Sequence, residues 1–134
     1  MPTPTLAHTS TPVAEILLVG RDWRARALLR AQLIEEGLDV EAHENVHEAL
    51  ASLPSTPRLP ALLLVDLSAS DDPTADLEQL SRWSRRIPTW IMASRSFSSA
   101  LSGGRFEKIL FRPLDVGALV EQIKQRLMKG GVST

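Results

Sequence analysis

Residues 59–68 read Leu-Pro-Ala-Leu-Leu-Leu-Val-Asp-Leu-Ser, and this stretch decides the fold. Five apolar residues in succession, from Ala61 to Val65, follow a proline and end at Asp66. A short, uninterrupted apolar run between turn signals is typical of a strand buried on both faces, as at the centre of a parallel sheet. In such sheets, binding and chemistry gather beyond the carboxyl ends of the strands, so Asp66 is the first candidate for a functional residue.

Four further segments have the pattern of strands. Each is a short apolar or alternating run that ends at a glycine, a proline or a polar residue; they are residues 16–19, 38–43, 89–93 and 108–111. Segments with helical spacing separate them. Strands that alternate with helices in this way predict an α/β, doubly wound domain in which a five-stranded parallel sheet carries helices on both faces.

Polar residues mark where the helices begin. The predicted N-caps are Asp22, Asn45, Asp72 and Asp115. Glycines are predicted to end the first helix at Gly37 and the last helix at Gly130-Gly131. On the first helix, the apolar stripe predicted to face the core consists of Ala25, Leu28, Leu29 and Leu33. The serine-rich segment 95–102 predicts only a short helix.

Length and composition indicate one globular domain over residues 15–129 of a 134-residue chain. A Pro- and Thr-rich flexible tail is predicted over residues 1–14, and a loose C-terminal tail over residues 130–134. A net charge of −1 gives no general attraction to nucleic acid or to an anionic membrane. The chain lacks cysteine, a membrane-length apolar run and a signal-peptide pattern, which together predict a cytoplasmic protein without disulfides or thiol chemistry.

The order of these landmarks resembles the receiver domain of bacterial two-component response regulators, over roughly residues 15–129. The residues that carry the resemblance are Val19, Gly37, Asp66, Pro88 and Arg112-Pro113. The resemblance implies a flavodoxin-like sheet with the receiver topology. In that family, the aspartate after strand three accepts a phosphoryl group from a histidine kinase, and two acidic residues after strand one hold a magnesium ion beside it. A Ser or Thr after strand four and a Lys before a cis-proline bind the phosphoryl oxygens, and an aromatic residue in strand five reports the switch.

Asp66 falls on the phosphoacceptor position of that pattern. Arg112 stands in place of the lysine, and Pro113 is then implied to follow a cis peptide bond. The acidic pair does not match, because Gly20 and Arg21 hold its two places.

Other positions depart from the family pattern as well. Asp22 lies one position after the places of the acidic pair. Ala93 holds the hydroxyl position with Ser94 beside it, and Ile109 holds the position of the aromatic switch residue. The sequence therefore resembles a degenerate receiver, or pseudo-receiver.

These departures bear on the metal. Phosphoryl transfer to a carboxylate brings two anions together, and a metal ion normally neutralises the charge. Magnesium requires oxygen ligands in near-octahedral geometry, and only Asp66 and the Ser68 carbonyl remain from the family's protein ligands. Arg21 also places a permanent cation where the ion would lie. We expect no resident metal and slow or absent phosphorylation; Asp22 and Asp66 would be the ligands if a metal did bind.

Arginine offers a substitute for the metal. A guanidinium binds a carboxylate through two hydrogen bonds and remains charged at every physiological pH. One hypothesis is that Arg21 and Arg112 flank Asp66 and hold the pocket in a single state. The alternative is that Arg21 is a solvated loop residue.

Together these residues favour a receiver-like signal-transduction module, not an enzyme, that acts through protein–protein interaction independently of phosphorylation. The resemblance implies a protein partner, either a histidine kinase or a downstream regulator, and a homodimer formed through helix four, strand five and the last helix. No catalytic residue, cofactor, membrane or direct nucleic-acid contact is expected; the arginines of the first helix are interpreted as a solvated face.

Two alternatives stay open. One is a phospho-accepting receiver in a phosphorelay, which would use Asp66 with magnesium recruited through Asp22. The other is a flavodoxin-like cofactor binder. The second alternative would require a phosphate cradle rich in glycine and hydroxyl groups after strand one, and residues 20–23 offer little of one.

Overall fold

Five parallel strands form a single sheet in the order β2-β1-β3-β4-β5 in the structure, a computed structural model that describes residues 14–55 and 57–132. The strands are β1 (Ile16–Gly20), β2 (Val40–His43), β3 (Leu62–Asp66), β4 (Thr89–Ala93) and β5 (Lys108–Phe111). This is the strand order of the flavodoxin-like doubly wound folds, so the predicted fold class is confirmed. The predicted flexible N-terminal tail lies, apart from Ala14, outside the described residues.

Helices cover both faces of the sheet. They are α1 (Trp23–Glu35), α2 (Val46–Ala51), α3 (Pro73–Trp83), α4 (Ser98–Leu101) and α5 (Val116–Val132). Helices α1 and α5 pack on one face, and α2, α3 and α4 pack on the other. The segment before α4 is a single 3-10 turn, Arg95–Phe97, so the fourth helix is as short as its serine content predicts.

β3 is buried on both faces because every one of its apolar side chains reaches a core. Leu62 and Leu64 pack with α1 and α5, whereas Leu63 and Val65 pack with α2, α3 and α4. All four side chains are completely shielded from solvent. The uninterrupted apolar run in the sequence follows from this position at the centre of a parallel sheet.

The four predicted N-caps are in place. In each one a side-chain oxygen accepts a backbone N–H from the first helical turn, at distances between 2.8 and 3.3 Å. Gly37, after α1, has a φ of +88°, which a glycine adopts without strain. Sequence rules that depend on local hydrogen bonding therefore located the helix starts correctly.

Two details differ from the sequence predictions. Leu28 is 52% exposed, because Leu29 and Leu33, one turn apart, already fill the narrow face that α1 presents to the sheet. Helix α5 continues through Gly130 and Gly131 to Val132, so the predicted loose tail does not begin at residue 130. A glycine weakens a helix by about 1 kcal/mol relative to alanine but does not by itself end one. Among residues 14–55 and 57–132, no helix is long and apolar enough to cross a membrane.

A charged cluster ties the start of β5 to β4 and α5. The Glu107 carboxylate accepts a hydrogen bond from Trp90 Nε1 at 2.9 Å and two from Arg126, at 2.6 and 2.9 Å. The Lys108 ammonium lies 4.8 Å from the centroid of the Trp90 ring. The side-chain hydrogen bond from Arg126 is the main reason that the pKa of Glu107 lies below its usual value of 4.5, while partial burial acts in the opposite direction.

This cluster predicts a pH dependence of stability. Because the pKa of Glu107 is lower in the folded than in the unfolded chain, its ionised form stabilises the fold above the unfolded pKa. That contribution is lost as the pH falls through the folded value. We expect the melting temperature of Glu107→Gln to lie below that of the wild type at about pH 7, and the difference to shrink towards about pH 3. Glu78→Gln, on the exposed side of α3, is the matched control. A Glu107→Gln difference that stays constant over this range would contradict the prediction.

Candidate functional site

Asp66 lies at the carboxyl edge of the sheet, in register with Gly20 on β1 and Met92 on β4. The chain order reverses between β1 and β3, which makes this edge the switch point where doubly wound folds form their crevice. The side chain of Asp66 is only 9% exposed. An ionised carboxylate in such a position requires hydrogen-bond partners.

Those partners come from the residue that follows β5 and from the loop after β3. The Arg112 guanidinium forms an ion pair with Asp66 Oδ2 through Nη2, and the backbone N–H of Ser68 donates to Asp66 Oδ1 at 2.9 Å. Arg112 Nε donates to Ser68 Oγ at 2.8 Å. Asp66, Ser68 and Arg112 thus form a closed polar triangle in which each member binds the other two.

The position of Arg112 is fixed by the sheet. Its backbone N–H donates to the carbonyl of Ala93 at the end of β4, at 2.9 Å. The bond between Arg112 and Pro113 is cis, as the family resemblance implies. The predicted contact between Arg112 and the Asp66 carboxylate is confirmed.

Arg21 does not contact Asp66, and that part of the two-arginine hypothesis is wrong. Its guanidinium instead pairs with Asp71, at 3.0 Å. These two side chains are 40% and 74% exposed, so the pair contributes about 0 to 1 kcal/mol. The loop after β3 carries Asp71 towards the end of β1, and the carboxylate of Asp66 is already neutralised from the other side.

The residues that the family resemblance places at the acidic pair, Gly20 and Arg21, and the neighbouring Asp22 have other contacts in the structure. Gly20 is buried, and its carbonyl accepts a hydrogen bond from Arg26 Nη1. Asp22 caps α1 by accepting the N–H groups of Arg24 and Ala25. The sequence interpretation missed Arg26; the signal that could have found it is that helical side chains lean towards the helix N-terminus, so one in the first turn reaches back to the preceding strand end.

A cavity of about 330 Å³ opens beside Asp66, between the loop after β1 and the loop before α3. Its charged lining residues are Arg21, Glu44, Asp66, Asp71, Asp72 and Asp76. Several of these are engaged: Asp71 pairs with Arg21, Asp72 caps α3, and Asp76 accepts a hydrogen bond from Ser70 Oγ at 2.6 Å. Among the described residues, no three His, Cys, Asp or Glu side chains converge on a point that could hold a metal.

The end of β4 offers no hydroxyl to this site. Ala93 is fully buried, and the Oγ of Ser94 lies 2.7 Å from that of Ser96, in the turn that follows. Ile109 and Phe111 are half-buried against the core on the α4 side. The centroid of the Phe111 ring lies 5.3 Å from Cζ of Arg95. The arrangement around Asp66 is therefore that of a neutralised, hydrogen-bonded carboxylate.

No protein-family model matches the chain, and no curated protein matches it significantly in sequence. Solved structures do match in three dimensions. A CheY-like response regulator receiver domain protein from Methanospirillum hungatei has a TM-score of 0.72 at 22% identity, over 92% of this chain and 100% of that one. The response regulator TrrA from Thermotoga maritima, solved with Mg²⁺ and BeF, has a TM-score of 0.69 at 21% identity, over 85% and 99%.

A third match comes from streptococci, from work on redox sensors that evolved from two-component response regulators. It has a TM-score of 0.71 at 18% identity, over 90% of this chain and 53% of that one. At these identities the matches establish the receiver fold of this chain.

Proposed function

We propose that this chain is a non-enzymatic, receiver-like signal-transduction module of the cytoplasm that acts through contact with another protein and without phosphorylation of Asp66. The observation that supports this most directly is the closed triangle of Asp66, Ser68 and Arg112. Both carboxylate oxygens are engaged within the chain, and one of them is held by a permanent positive charge.

The chemistry of phosphoryl transfer gives the reason. Asp66 would have to use one oxygen as a nucleophile while a cation binds the other oxygen and the incoming phosphoryl group together. A metal ion can bind the carboxylate oxygen and the phosphoryl group at the same time because it has several open coordination positions. Arg112 is already hydrogen-bonded to both Asp66 and Ser68, so it would have to release at least one of them to reach a phosphoryl oxygen. No cofactor and no metal are part of this proposal.

The partner is proposed to be a protein, either a histidine kinase or a downstream regulator. By resemblance to the receiver family, the contact surface is the face of α4, β5 and α5, which would also serve a homodimer. The side chains of Arg95, Ser96 and Ser98 are exposed there, next to the half-buried Phe97. A short fourth helix with exposed polar groups suits a surface that adapts to a partner.

The alternative proposal is a receiver that accepts a phosphoryl group on Asp66. What favours it is that the 330 Å³ cavity opens directly on the acceptor carboxylate, so a small phosphodonor could approach. The cofactor-binding alternative has no comparable support, because the loop that follows β1 carries arginine and tryptophan where a phosphate cradle would need glycine and hydroxyl groups.

One experiment separates these proposals. The full chain is incubated with acetyl phosphate and Mg²⁺ and its intact mass is measured. We expect no added phosphoryl group, because Asp66 lacks the metal ligands that lower the barrier. A receiver domain that keeps its acidic pair, treated in parallel, shows that the reagent is active. A stoichiometric adduct that disappears in Asp66→Asn would overturn the proposal and establish the phosphoacceptor alternative.

A further inference from the structure

Besides the cavity next to Asp66, the structure has a groove lined by arginines at the opposite end of the sheet. It has a volume of about 680 Å³ and runs between the end of α3 and the loop that leads into β5. Its lining residues are Ser81, Arg82, Ser84, Arg85, Gly104 and Arg105. The adjacent backbone belongs to the amino ends of the strands: the Pro88 carbonyl accepts the N–H of Leu63, and the Thr89 carbonyl accepts that of Glu107.

The arginines of this groove have no acidic partner in the part of the chain that the structure describes. Arg82, Arg85 and Arg105 are all exposed, and none forms an ion pair with residues 14–55 or 57–132. Arg86, beside them, lies over the Trp83 ring at 4.9 Å. The whole chain has a net charge of −1, so this end of the molecule is locally cationic against a nearly neutral background.

On the α3 side, the groove presents guanidinium groups, and the other donors of that side are already engaged. Ser81 Oγ donates to the carbonyl of Glu78 at 2.8 Å, and Ser84 Oγ donates to that of Ser81 at 3.0 Å, so both hydroxyl protons are used within the helix. The backbone N–H groups of Ser84, Arg86 and Ile87 likewise bond to carbonyls of α3.

This set of donors discriminates between anions. A site for a single compact phosphate usually combines backbone N–H groups with a helix N-terminus. Here the adjacent helix end is the C-terminus of α3, whose backbone N–H groups bond to carbonyls of the helix and so cannot form the cradle of such a site. Planar guanidinium forks on both sides of an open groove instead match carboxylates spread along an extended chain.

Single-stranded nucleic acid fits the groove less well than a polypeptide. Binding of unpaired bases requires exposed aromatic rings on which they stack. Two aromatic residues neighbour the lining residues in sequence, and neither offers a free ring: Trp83 packs against the core and carries Arg86 over its ring, and Phe106 is buried. The groove lining itself contains no aromatic side chain.

We infer that this groove is a docking site for an acidic, Asp- and Glu-rich segment of a protein partner, bound through Arg82, Arg85 and Arg105. The inference goes beyond the proposed function, because the groove lies at the opposite end of the sheet from Asp66 and is lined by the end of α3 and the loop before β5, with no residue of α4, β5 or α5. It holds whether or not Asp66 accepts a phosphoryl group.

The test uses the full chain and a fluorescein-labelled peptide of about ten alternating Glu and Asp residues, followed by fluorescence anisotropy at about 50 mM salt. We expect saturable binding to the wild type that weakens by about tenfold or more in Arg82→Glu/Arg85→Glu. The control, Arg24→Glu/Arg30→Glu, makes the same change in net charge on the exposed side of α1 and is expected to bind within about twofold of the wild type. Arg82→Gln/Arg85→Gln replaces the first variant if its melting curve shows that it does not fold.

Three results would overturn the inference. The first is no saturable binding of the peptide to the wild type. The second is an equal loss of affinity in both double variants, which would show attraction to overall charge only. The third is tighter, groove-dependent binding of an oligothymidylate of the same length, which would assign the groove to nucleic acid. None of these results depends on the acetyl phosphate experiment, so the two proposals fail separately.

Discussion

The double variant Gly20→Asp/Arg21→Asp is expected to gain Mg²⁺-dependent phosphorylation of Asp66, with one phosphoryl group added by acetyl phosphate where the wild type gains none. The two substitutions place carboxylates at the positions that the resemblance to receiver domains assigns to magnesium ligands, and they remove the cation of Arg21. A metal at this point would neutralise the charge of the acceptor and of the incoming phosphoryl group together.

The structure accommodates this change. A Cβ atom added to Gly20 would lie 3.5 Å from Cβ of Asp66 and 3.9 Å from Cβ of Arg26, both ordinary contacts. A carboxylate there would stand next to that of Asp66, and without metal the two would repel each other. We therefore expect Mg²⁺ to raise the melting temperature of the double variant but not that of the wild type, since a ligand stabilises the state that binds it.

The controls separate metal binding from phosphorylation. Omission of Mg²⁺, and addition of Asp66→Asn to the double variant, should each abolish the adduct. A double variant that melts normally but shows neither a magnesium-dependent shift nor an adduct would mean that the acidic pair is not what this chain lacks. Competition from Arg112 would then be the next cause to test, through Arg112→Lys.

The second large effect is expected on stability. Arg112→Ala should lower the free energy of unfolding by about 1 to 3 kcal/mol, because it leaves the carboxylate of Asp66 without its counter-ion at the sheet edge. Asp66 is 9% exposed and Arg112 37% exposed, so water screens part of the interaction and the loss falls below that of a fully buried pair. Chemical denaturation of the wild type and the variant measures the difference.

A double-mutant cycle tests the physical reason. In the Asp66→Asn background, Arg112→Ala should lower the free energy of unfolding by at least about 1 kcal/mol less than in the wild type. The reason is that no buried carboxylate is then left without a counter-ion. Arg21→Ala is the matched control: its partner Asp71 is exposed, and we expect a change of at most about 1 kcal/mol, smaller than that of Arg112→Ala. Equal losses of unfolding free energy in Arg112→Ala and Arg21→Ala would contradict the conclusion that the ion pair of Arg112 with Asp66 stabilises the fold.

The sequence predicted what depends on local rules and on the period of apolar residues. The buried strand at 62–66, the caps at Asp22 and Asn45, and the alternation of strands and helices each follow from interactions within a few residues. The place of Asp66 at the carboxyl edge followed from the fold class. The contact with Arg112 followed from the same logic, since strand ends on one sheet edge meet.

The side-chain contacts that the sequence did not predict are those in which a loop positions one of the partners. Arg21 pairs with Asp71 and not with Asp66 because the path of residues 67–72 brings Asp71 within reach of its guanidinium. In that loop Ala69 adopts a φ of +64°, a left-handed conformation that no local rule assigns to alanine. The cationic groove was also missed, because Arg105 lies far along the chain from Arg82 and Arg85. Each arginine alone has the appearance of an ordinary solvated residue.

The burial of β3 on both faces has a consequence for the register in which this strand pairs with its neighbours. In a half-exposed strand, a slip by one residue would turn apolar side chains to water and so be rejected. In 61–65 every side chain is apolar, so no polar side chain within the run would be buried by such a slip, and the apolar pattern alone does not set the register. The first strongly polar side chain after this run is that of Asp66, tethered at the rim by its bonds to Ser68 and Arg112. These bonds fix the point at which β3 ends, a structural role of the aspartate that does not require a phosphoryl group.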